Sequence, residues 1–410
     1  MRIVIVGNST AAIGAVEGIR SADKKAEITI IASEREHSYS RPLISYLLEG
    51  KTDLERMKYR PNSFYADNNV STMLGRSVTA VNAAEHFVEL ADGERLQYDR
   101  LLWAAGSRPF IPPIEGLEQA GYFTFQSLED AQRLSDALTP QSRVLIVGAG
   151  LIGLKCAEGI YSRVGGITVA EFAPRILPSI LDEDGAAIVQ KHLEAKGLKF
   201  YLSNAVKSVD GKAASLADGT VLEYDTLVIA SGVKPNVEQL SAAGAKTARG
   251  ILTDDCGRTS LPDIYAAGDC TESTDLTDGE SRILAILPNA YIQGRTAGKA
   301  MVGVSEPFSE AMPVNSIGVF GLHIGTVGMA KGESIVVNNG DYRRFFLADN
   351  RLTGFILVGD IKRAGIYTAL VRSKVPLDKM NLELLAQKPQ LALFGAAERD
   401  RMLNGEVVKK

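Results

Sequence analysis

The sequence predicts an α/β chain made of two doubly wound units in series, followed by a smaller C-terminal α+β domain. Three observations predict it. A β-branched run, "IVIVG" (3–7), leads into small residues with a helical pattern, and the same design restarts at "RVLIVG" (143–148), about 140 residues later. Two further segments resemble each other, "YDRLLWAAGSRP" (98–109) and "YDTLVIASGVKP" (224–235), and each closes its own unit. Beyond about residue 313 the character changes: "RRFFLADNRLTGFILVG" (343–359) alternates and is broken by Asn, Asp and Gly, as in an antiparallel meander.

The elements follow in order. Residues 2–7, 28–32 and 98–105 read as apolar strands, with helical patterns at 11–21 and 43–49. Alternation of strand and helix argues for a parallel sheet. The second unit opens with the strand at 143–148, the helix "AGLIGLKCAEGIYSRV" and the strand "ITVAEF". Proline-rich "RPFIPPIEG" (108–116) reads as the linker between the units. A strand over Ile264–Ala267 ends in Gly268-Asp269, and "LPNAYIQGRTAG" (287–298) reads as a helix with Pro288 in its first turn, where a missing N–H costs nothing. A short helical tail starts near 361.

Composition narrows the classes. A chain of 410 residues is too long for one ordinary core. With 45% hydrophobic and 23% charged residues it reads as a globular enzyme. The net charge of −4 leaves no basic footprint for nucleic acid. No apolar run reaches the roughly 18–20 residues that span a bilayer. Strand-like sequence begins at Arg2 and leaves no room for a leader, so the expected location is cytoplasmic. The three cysteines, Cys156, Cys256 and Cys270, have neither metal nor disulfide spacing. The four histidines (37, 86, 192 and 323) have no metal spacing and are assigned no role.

The strongest local signal is "VGAGLIGLKCAEG". Gly148 permits the tight turn, Gly150 lets a pyrophosphate approach the backbone, and Gly153 allows helix and strand to pack closely. The helix that follows offers free N–H groups to phosphate. Glu171 ends the next strand, 21 residues after Gly150, where a carboxylate accepts ribose hydroxyls and repels a 2′-phosphate. Phe172, Ala173 and Pro174 follow it rather than Arg, which favours NADH over NADPH. The first unit carries a degraded version, "GNSTAA". Gly7 and Asn8 are followed by Ser9 and Ala11, and Ala12 stands where the last Gly is usual. Its candidate ribose acceptor is Glu34, two residues beyond the strand. On this stretch alone a nucleotide site and a buried structural turn both stay open.

Taken together, "GNSTAA", "LLWAAGSRP", "GAGLIG…E", "VIASGVKPN" and "TSLPDIYAAGD" resemble the FAD/NAD(P)-dependent pyridine nucleotide-disulfide oxidoreductase superfamily. The resemblance covers about residues 1–310. It implies two Rossmann-like nucleotide-binding domains and a C-terminal interface domain, with an FAD domain interrupted by an NAD domain: 1–112 and 237–312 for FAD, 113–236 for NAD, and 313–410 for the interface. It implies that the first turn holds FAD despite Ser9, and that Asp269 after Gly268 holds the ribityl chain. It places Glu34, Arg35, Arg41, Pro42, Val78, Ala104, Ala105, Gly106 and Arg108 around the flavin cofactor, and Pro288 and Asn289 at a helix N-terminus facing the flavin. It places Leu151, Ile152 and Gly232 with the glycine turn and Glu171 around NAD.

Relatives that reduce disulfides or peroxides need a cysteine near "HSYSRPLIS" (37–45), and none is there. The chain is therefore similar to the NADH:rubredoxin and ferredoxin reductase branch. That implies hydride transfer from NADH to FAD and then electron transfer to a small carrier protein. An NADH oxidase forming hydrogen peroxide, or the electron-input subunit of a larger redox complex, stays open, as does a homodimer through the last domain. One departure stands out. The branch commonly has Glu where this chain has Lys155, and Lys where it has Tyr46, paired beside the flavin. If Lys155 keeps that place it sets a cation beside the hydride acceptor and is the candidate catalytic residue; otherwise it pairs with Glu158. Two basic pairs, Arg343-Arg344 and Lys362-Arg363, either steer an acidic carrier or form a solvated face.

Overall fold

The computed structural model describes residues 1–400 except 329, 339, 388–389, 391–392 and 397–398. It divides into two compact units. The first holds Met1–Phe172, Leu198–Asp275 and Glu280–Ala311; the second holds Ala173–Gly197, Leu276–Gly279 and the chain from Met312.

In the first unit, β1 (Arg2–Val6) leads through a turn into α1 (Thr10–Ala22) and then β2 (Glu27–Ala32). β3 (Val70–Leu74) and β4 (Arg100–Trp103) flank them, and β11 (Ile264–Ala266) returns from far along the chain. The sheet order is β11-β4-β1-β2-β3, all parallel, with Ile5 opposite Ile30 on one side and Leu102 on the other. Such strands are covered on both faces and so read as continuous apolar runs. Ile3, Ile5, Ile13, Ile19, Ile28 and Ile30 are each no more than 2% exposed. Each contributes about 1.5–3 kcal/mol by leaving water.

The second copy repeats this plan. β6 (Arg143–Val147), α2 (Leu151–Ile160) and β7 (Gly166–Ala170) match β1, α1 and β2; β8 (Lys199–Tyr201) and β9 (Thr226–Ile229) complete a parallel sheet ordered β8-β7-β6-β9. The repetition reaches single hydrogen bonds. Gly7 N donates to Ile31 O at 2.7 Å, and Gly148 N to Ala170 O at 2.8 Å. Ala104 N donates to Val6 O, and Ala230 N to Val147 O, both at 2.8 Å. Gly7 at φ +113° and Gly148 at φ +114° turn the chain where any Cβ would strike the carbonyl of Ala104 or Ala230.

The stretch read as a linker contains a strand. β5 (Ser107–Pro109) pairs antiparallel with β10 (Val233–Pro235), so the corresponding tripeptides of the two copies hydrogen-bond to each other. A three-residue strand whose partner lies over a hundred residues away leaves no local pattern to read.

α1 packs on α3 (Leu287–Met301) through glycines of both helices. A Cβ at Gly14 or Gly18 would strike the carbonyl of Tyr291 or Arg295, and a Cβ at Gly294 or Gly298 would strike that of Ala11 or Ala15. The backbones are therefore in direct contact over one helical turn on each side.

The second unit is built on a five-stranded antiparallel sheet. Its spatial order is Val314–Val319, Leu322–Gly328, Arg351–Val358, Tyr342–Ala348, Glu333–Asn338. Phe345, Phe355, Tyr367 and Leu370 form its core. The helix Glu183–Glu194 belongs to this unit. Its cap, Asp182, accepts from Gly185 N at 2.9 Å, from Arg344 Nη1 at 2.8 Å, and from the Tyr342 hydroxyl. Arg343 lies 3.7 Å from Asp360 and 3.9 Å from Asp341. The first basic pair is thus engaged with carboxylates of its own unit.

Ala in place of Gly within a helix normally gains about 1 kcal/mol. At Gly294 the added methyl meets backbone that cannot move aside, so Gly294→Ala is expected to destabilise by about 2 kcal/mol or more. Thermal unfolding checks the sign: a raised Tm would show that the helices do not touch there.

Candidate functional site

A cavity of about 550 Å³ opens at the carboxyl ends of β1, β2 and β4. This is where ligands enter open α/β sheets, and the volume lies within the roughly 300–1,000 Å³ of small-molecule sites. The wall contains Gly7, Asn8, Ser9 and Ala11 of the first turn, Glu34 and Arg41, Val78, Ala104, Ala105, Gly106 and Arg108, and Gly268 with Asp269. Leu287 and Ala290 of the first turn of α3 also line it. With Gln126 and Asn236–Gln239, residues from eight separate parts of the sequence converge on one space.

Several expected residues lie outside the wall. Ala12 is fully buried under the turn, in the core. Arg35 is exposed, with its stem over Gly75. Pro42 sits in the short turn Arg41–Leu43, and Pro288 and Asn289 lie in the first turn of α3 beside the residues that do line the cavity. A helix presents only some of its residues to one side, and from the sequence the side facing the cavity could not be chosen.

The cradle at the first turn is open. Ser9 caps α1 with extended backbone, and its side chain makes no capping bond. No acidic residue lies in the first turn of α1, so its N–H groups face the cavity end with their positive partial charge intact. Three polar atoms in the wall are buried without a protein partner: Thr10 Oγ1, His37 Nε2 and Gln126 Oε1. Native folds rarely leave such atoms unmet.

The charged residues of the wall hold one another. Glu34, expected as a ribose acceptor, has both oxygens engaged, one by the Tyr39 hydroxyl and one by the Arg41 guanidinium. Tyr39 OH also accepts from Leu128 N at 2.9 Å, and Arg41 Nη1 donates to Gln126 O at 2.9 Å. Burial opposes the Arg41 charge, and Tyr39 and Glu34 outweigh it, so the guanidinium stays firmly protonated. Burial pushes the Asp269 carboxyl above its usual pKa, against the pull of Arg41.

Arg108 donates to Asn236 Oδ1 at 2.8 Å and to Glu238 Oε1 at 2.6 Å, and it holds the Glu238 carboxyl down to about 2. Asn236 in turn fixes the end of β4. Its Nδ2 donates to Ala105 O and its carbonyl accepts from Trp103 Nε1, both at 2.8 Å. Asn236, Glu238, Gln126, Tyr39, Thr10 and His37 were not singled out from the sequence. Asn236 ends "VIASGVKPN", Thr10 lies in "GNSTAA", and His37 and Tyr39 lie in "HSYSRPLIS", so four of the six stood in stretches that carried a signal.

The second turn keeps the full glycine pattern. Gly150 caps α2 with open space where a Cβ would stand, and Leu151 and Ile152 begin the helix. A Cβ at Gly153 would strike Gly148 O. Glu171 Oε2 accepts from Ala149 N at 2.7 Å, which places the carboxylate against the turn. Gly232, at φ +106°, has open space on its Cβ side. Lys155, 17% exposed, pairs with Glu158, and its ammonium lies 4.3 Å from the centre of the Tyr46 ring. It does not line the cavity.

Two phosphate-type turns on two doubly wound sheets, one with a deep cavity beside it, define an enzyme that works with two nucleotide cofactors. A family profile described as pyridine nucleotide-disulphide oxidoreductase matches residues 1–294, and one described as the rubredoxin NAD+ reductase C-terminal domain matches residues 313–375. The chain belongs to the pyridine nucleotide-disulphide oxidoreductase family. It is 31% identical over 399 residues to the NADH-dependent phenylglyoxylate dehydrogenase subunit epsilon of Aromatoleum evansii, covering 94% of each chain. It is 34% identical over 343 residues to an NADH oxidase of Methanocaldococcus jannaschii, covering 80% of this chain and 76% of that one. Among solved structures, the covalent putidaredoxin reductase–putidaredoxin complex matches with a TM-score of 0.86 and 25% identity over 98% of each chain.

Because burial raises the Asp269 pKa, this group adds stability in acid and loses it as pH rises through its raised value. Flavin-free wild type is expected to lose Tm relative to Asp269→Asn as pH rises above the ordinary carboxylate range of about 4. Equal Tm profiles for the two proteins would show that the carboxyl is not strained by its surroundings.

Proposed function

We propose that the chain takes hydride from NADH onto bound FAD and passes electrons to a one-electron carrier of the rubredoxin or ferredoxin type. The turn Gly7–Ser9, the amino ends of α1 and α3, Arg41 and Asp269 hold FAD. The turn Gly148–Gly153 and Glu171 hold NADH. Bound FAD supplies a ring that accepts two electrons at once and releases them singly. The protein's part is orientation: it brings the nicotinamide to the flavin and keeps bulk water out.

The observation that carries this reading is the state of the cysteines. All three are buried, none lines the cavity, and Cys270 is pushed up to about 12 by burial. A relay through sulfur needs an accessible thiolate. Without one, electrons leave the flavin directly. The first part of the chain and its return, 1–112 and 237–312, form the flavin domain in this reading, because β11 of the return lies beside β4. Residues 113–236, apart from Ala173–Gly197, which pack with the C-terminal unit, form the nicotinamide domain in this reading, and the chain from Met312 belongs to the C-terminal one. Among the described residues no helix is long and apolar enough to cross a membrane, and we place the protein in the cytoplasm.

The relative from Aromatoleum evansii is named as a subunit, which favours a second reading in which the acceptor is a fixed partner of a larger complex.

Anaerobic addition of NADH is expected to bleach the flavin, and alkylation of the native protein with iodoacetamide to leave that bleaching unchanged. Reduction of an added rubredoxin or ferredoxin under argon, faster than oxygen uptake in air, supports the carrier role. Rapid oxygen uptake with no carrier reduction would identify an oxidase instead. Loss of bleaching after alkylation would restore a sulfur relay.

A further inference from the structure

Asp269 stands in the cavity wall with little to hold its side chain. Among the described residues none donates a hydrogen bond to its carboxylate, and Arg41 acts on it through charge alone. Its place is therefore set by the main chain of the turn before it. Gly268 makes that turn at φ +85°, a conformation that favours glycine. A Cβ there would lie 3.2 Å from that of Ala11 and 3.6 Å from that of Ala290, so the turn is set between the amino ends of α1 and α3. Gly268 O accepts from Thr271 N at 2.9 Å and from Thr271 Oγ1 at 2.8 Å. Gly268 N donates to a side chain of α3, Gln293 Oε1, at 2.8 Å.

We propose that Gln293 is the positioning residue for Asp269: its amide fixes the Gly268 turn so that the carboxylate meets the ribityl hydroxyls of FAD. The proposal rests on the FAD reading given above. A backbone N–H only donates, so the amide turns Oε1 toward Gly268, and that choice aims Nε2 at a second acceptor. Ser273 Oγ, on the strand Thr271–Thr274, accepts from it at 2.7 Å. One side chain thus spans the loop from Gly268 to Ser273 and ties both ends of it to α3.

Gln293 does not line the cavity itself, so its effect on a ligand there passes through the turn it holds. It lies one helical turn beyond Ala290, which does line the cavity, and next to Gly294, which meets the backbone of α1. The amide therefore refers the Asp269 turn to the same helix whose amino end faces the site, and keeps the spacing between carboxylate and helix end. Gly268 is buried, and without the amide its N–H has no acceptor. A glycine peptide rotates at little steric cost, and that rotation carries the Asp269 carboxylate out of place.

The test titrates flavin-free protein with FAD, follows quenching of flavin fluorescence, and runs as a double-mutant cycle. Gln293→Met keeps a side chain of similar length and removes both hydrogen bonds; it is expected to weaken FAD binding about tenfold. In an Asp269→Ala background the same substitution is expected to change binding by less than about twofold, because the carboxylate it positions is gone. If Gln293→Met fails to fold, Ser273→Ala carries the test. It frees the other end of the amide and is expected to weaken binding about threefold beside Asp269 and not at all beside Ala at that position. A loss that persists in full without the Asp269 carboxylate would assign Gln293 to the fold alone and overturn the proposal. Binding by Gln293→Met within about twofold of wild type would overturn it as well. Wild-type protein that binds no FAD would overturn the cofactor reading itself.

Discussion

The site depends on one contact, the crossing of α1 and α3 backbone on backbone. α1 follows the first turn, and α3 arrives from nearly three hundred residues later. Both amino ends reach one cavity, through Ser9, Thr10 and Ala11 on one side and Leu287 and Ala290 on the other. The glycines that permit the crossing, Gly14, Gly18, Gly294 and Gly298, each cost about 1 kcal/mol of helix propensity against alanine. The chain tolerates that cost because any larger residue would push the two amino ends apart. Helix termini act on charge only within about one turn, so a small separation would remove one of them from the site.

A second constraint joins the two copies of the fold. β5 and β10 are corresponding tripeptides, and their register sets Arg108 opposite Lys234. Like charges across a strand pair repel. Glu238 resolves this by reaching both, at 2.6 Å from Arg108 and 3.5 Å from Lys234. Duplication accounts for the arrangement. A segment that ends each unit in the same way meets its own copy, and the charge conflict at the meeting point is met by a carboxylate on the helix that follows. Asn236, beside it, bonds to both Arg108 and Ala105 and so carries the position of this junction to the cavity wall.

What the sequence disclosed and what it hid divide along physical lines. The second strand–turn–helix unit was legible because its turn carries all three glycines: a Cβ at Gly148 or Gly153 would strike a carbonyl oxygen, and Gly150 leaves its Cβ side open. The return of Ile264–Ala266 to the first sheet was legible only through the family resemblance. The partnerships of Glu34 were not legible. Its position two residues past β2 suited a ribose acceptor, and only the folded chain shows Tyr39 and Arg41 on its oxygens. Lys155 is similar: the replacement was visible, but its place over the Tyr46 ring depends on how α2 meets the short helix Ile44–Leu48. The affiliation of the helix Glu183–Glu194 with the C-terminal sheet was hidden as well, because the bonds to Asp182 come from Tyr342 and Arg344, some 160 residues away.

The difference between the two turns matches a difference in what each must do. The second turn keeps all three glycines and sets one carboxylate, Glu171, against the backbone N–H of Ala149. On the proposed assignment the second turn holds the co-substrate, which must leave at every turnover. The first turn gives up its middle glycine to Ser9, yet two helix ends, Arg41, Asp269 and three buried polar atoms surround its cavity. Affinity among related sites varies mainly through the dissociation rate, and many converging contacts slow dissociation more than a single well-shaped turn does. On the proposed assignment the poorer motif serves the ligand that stays bound. With contacts available from eight parts of the chain, the turn is one source of binding among several.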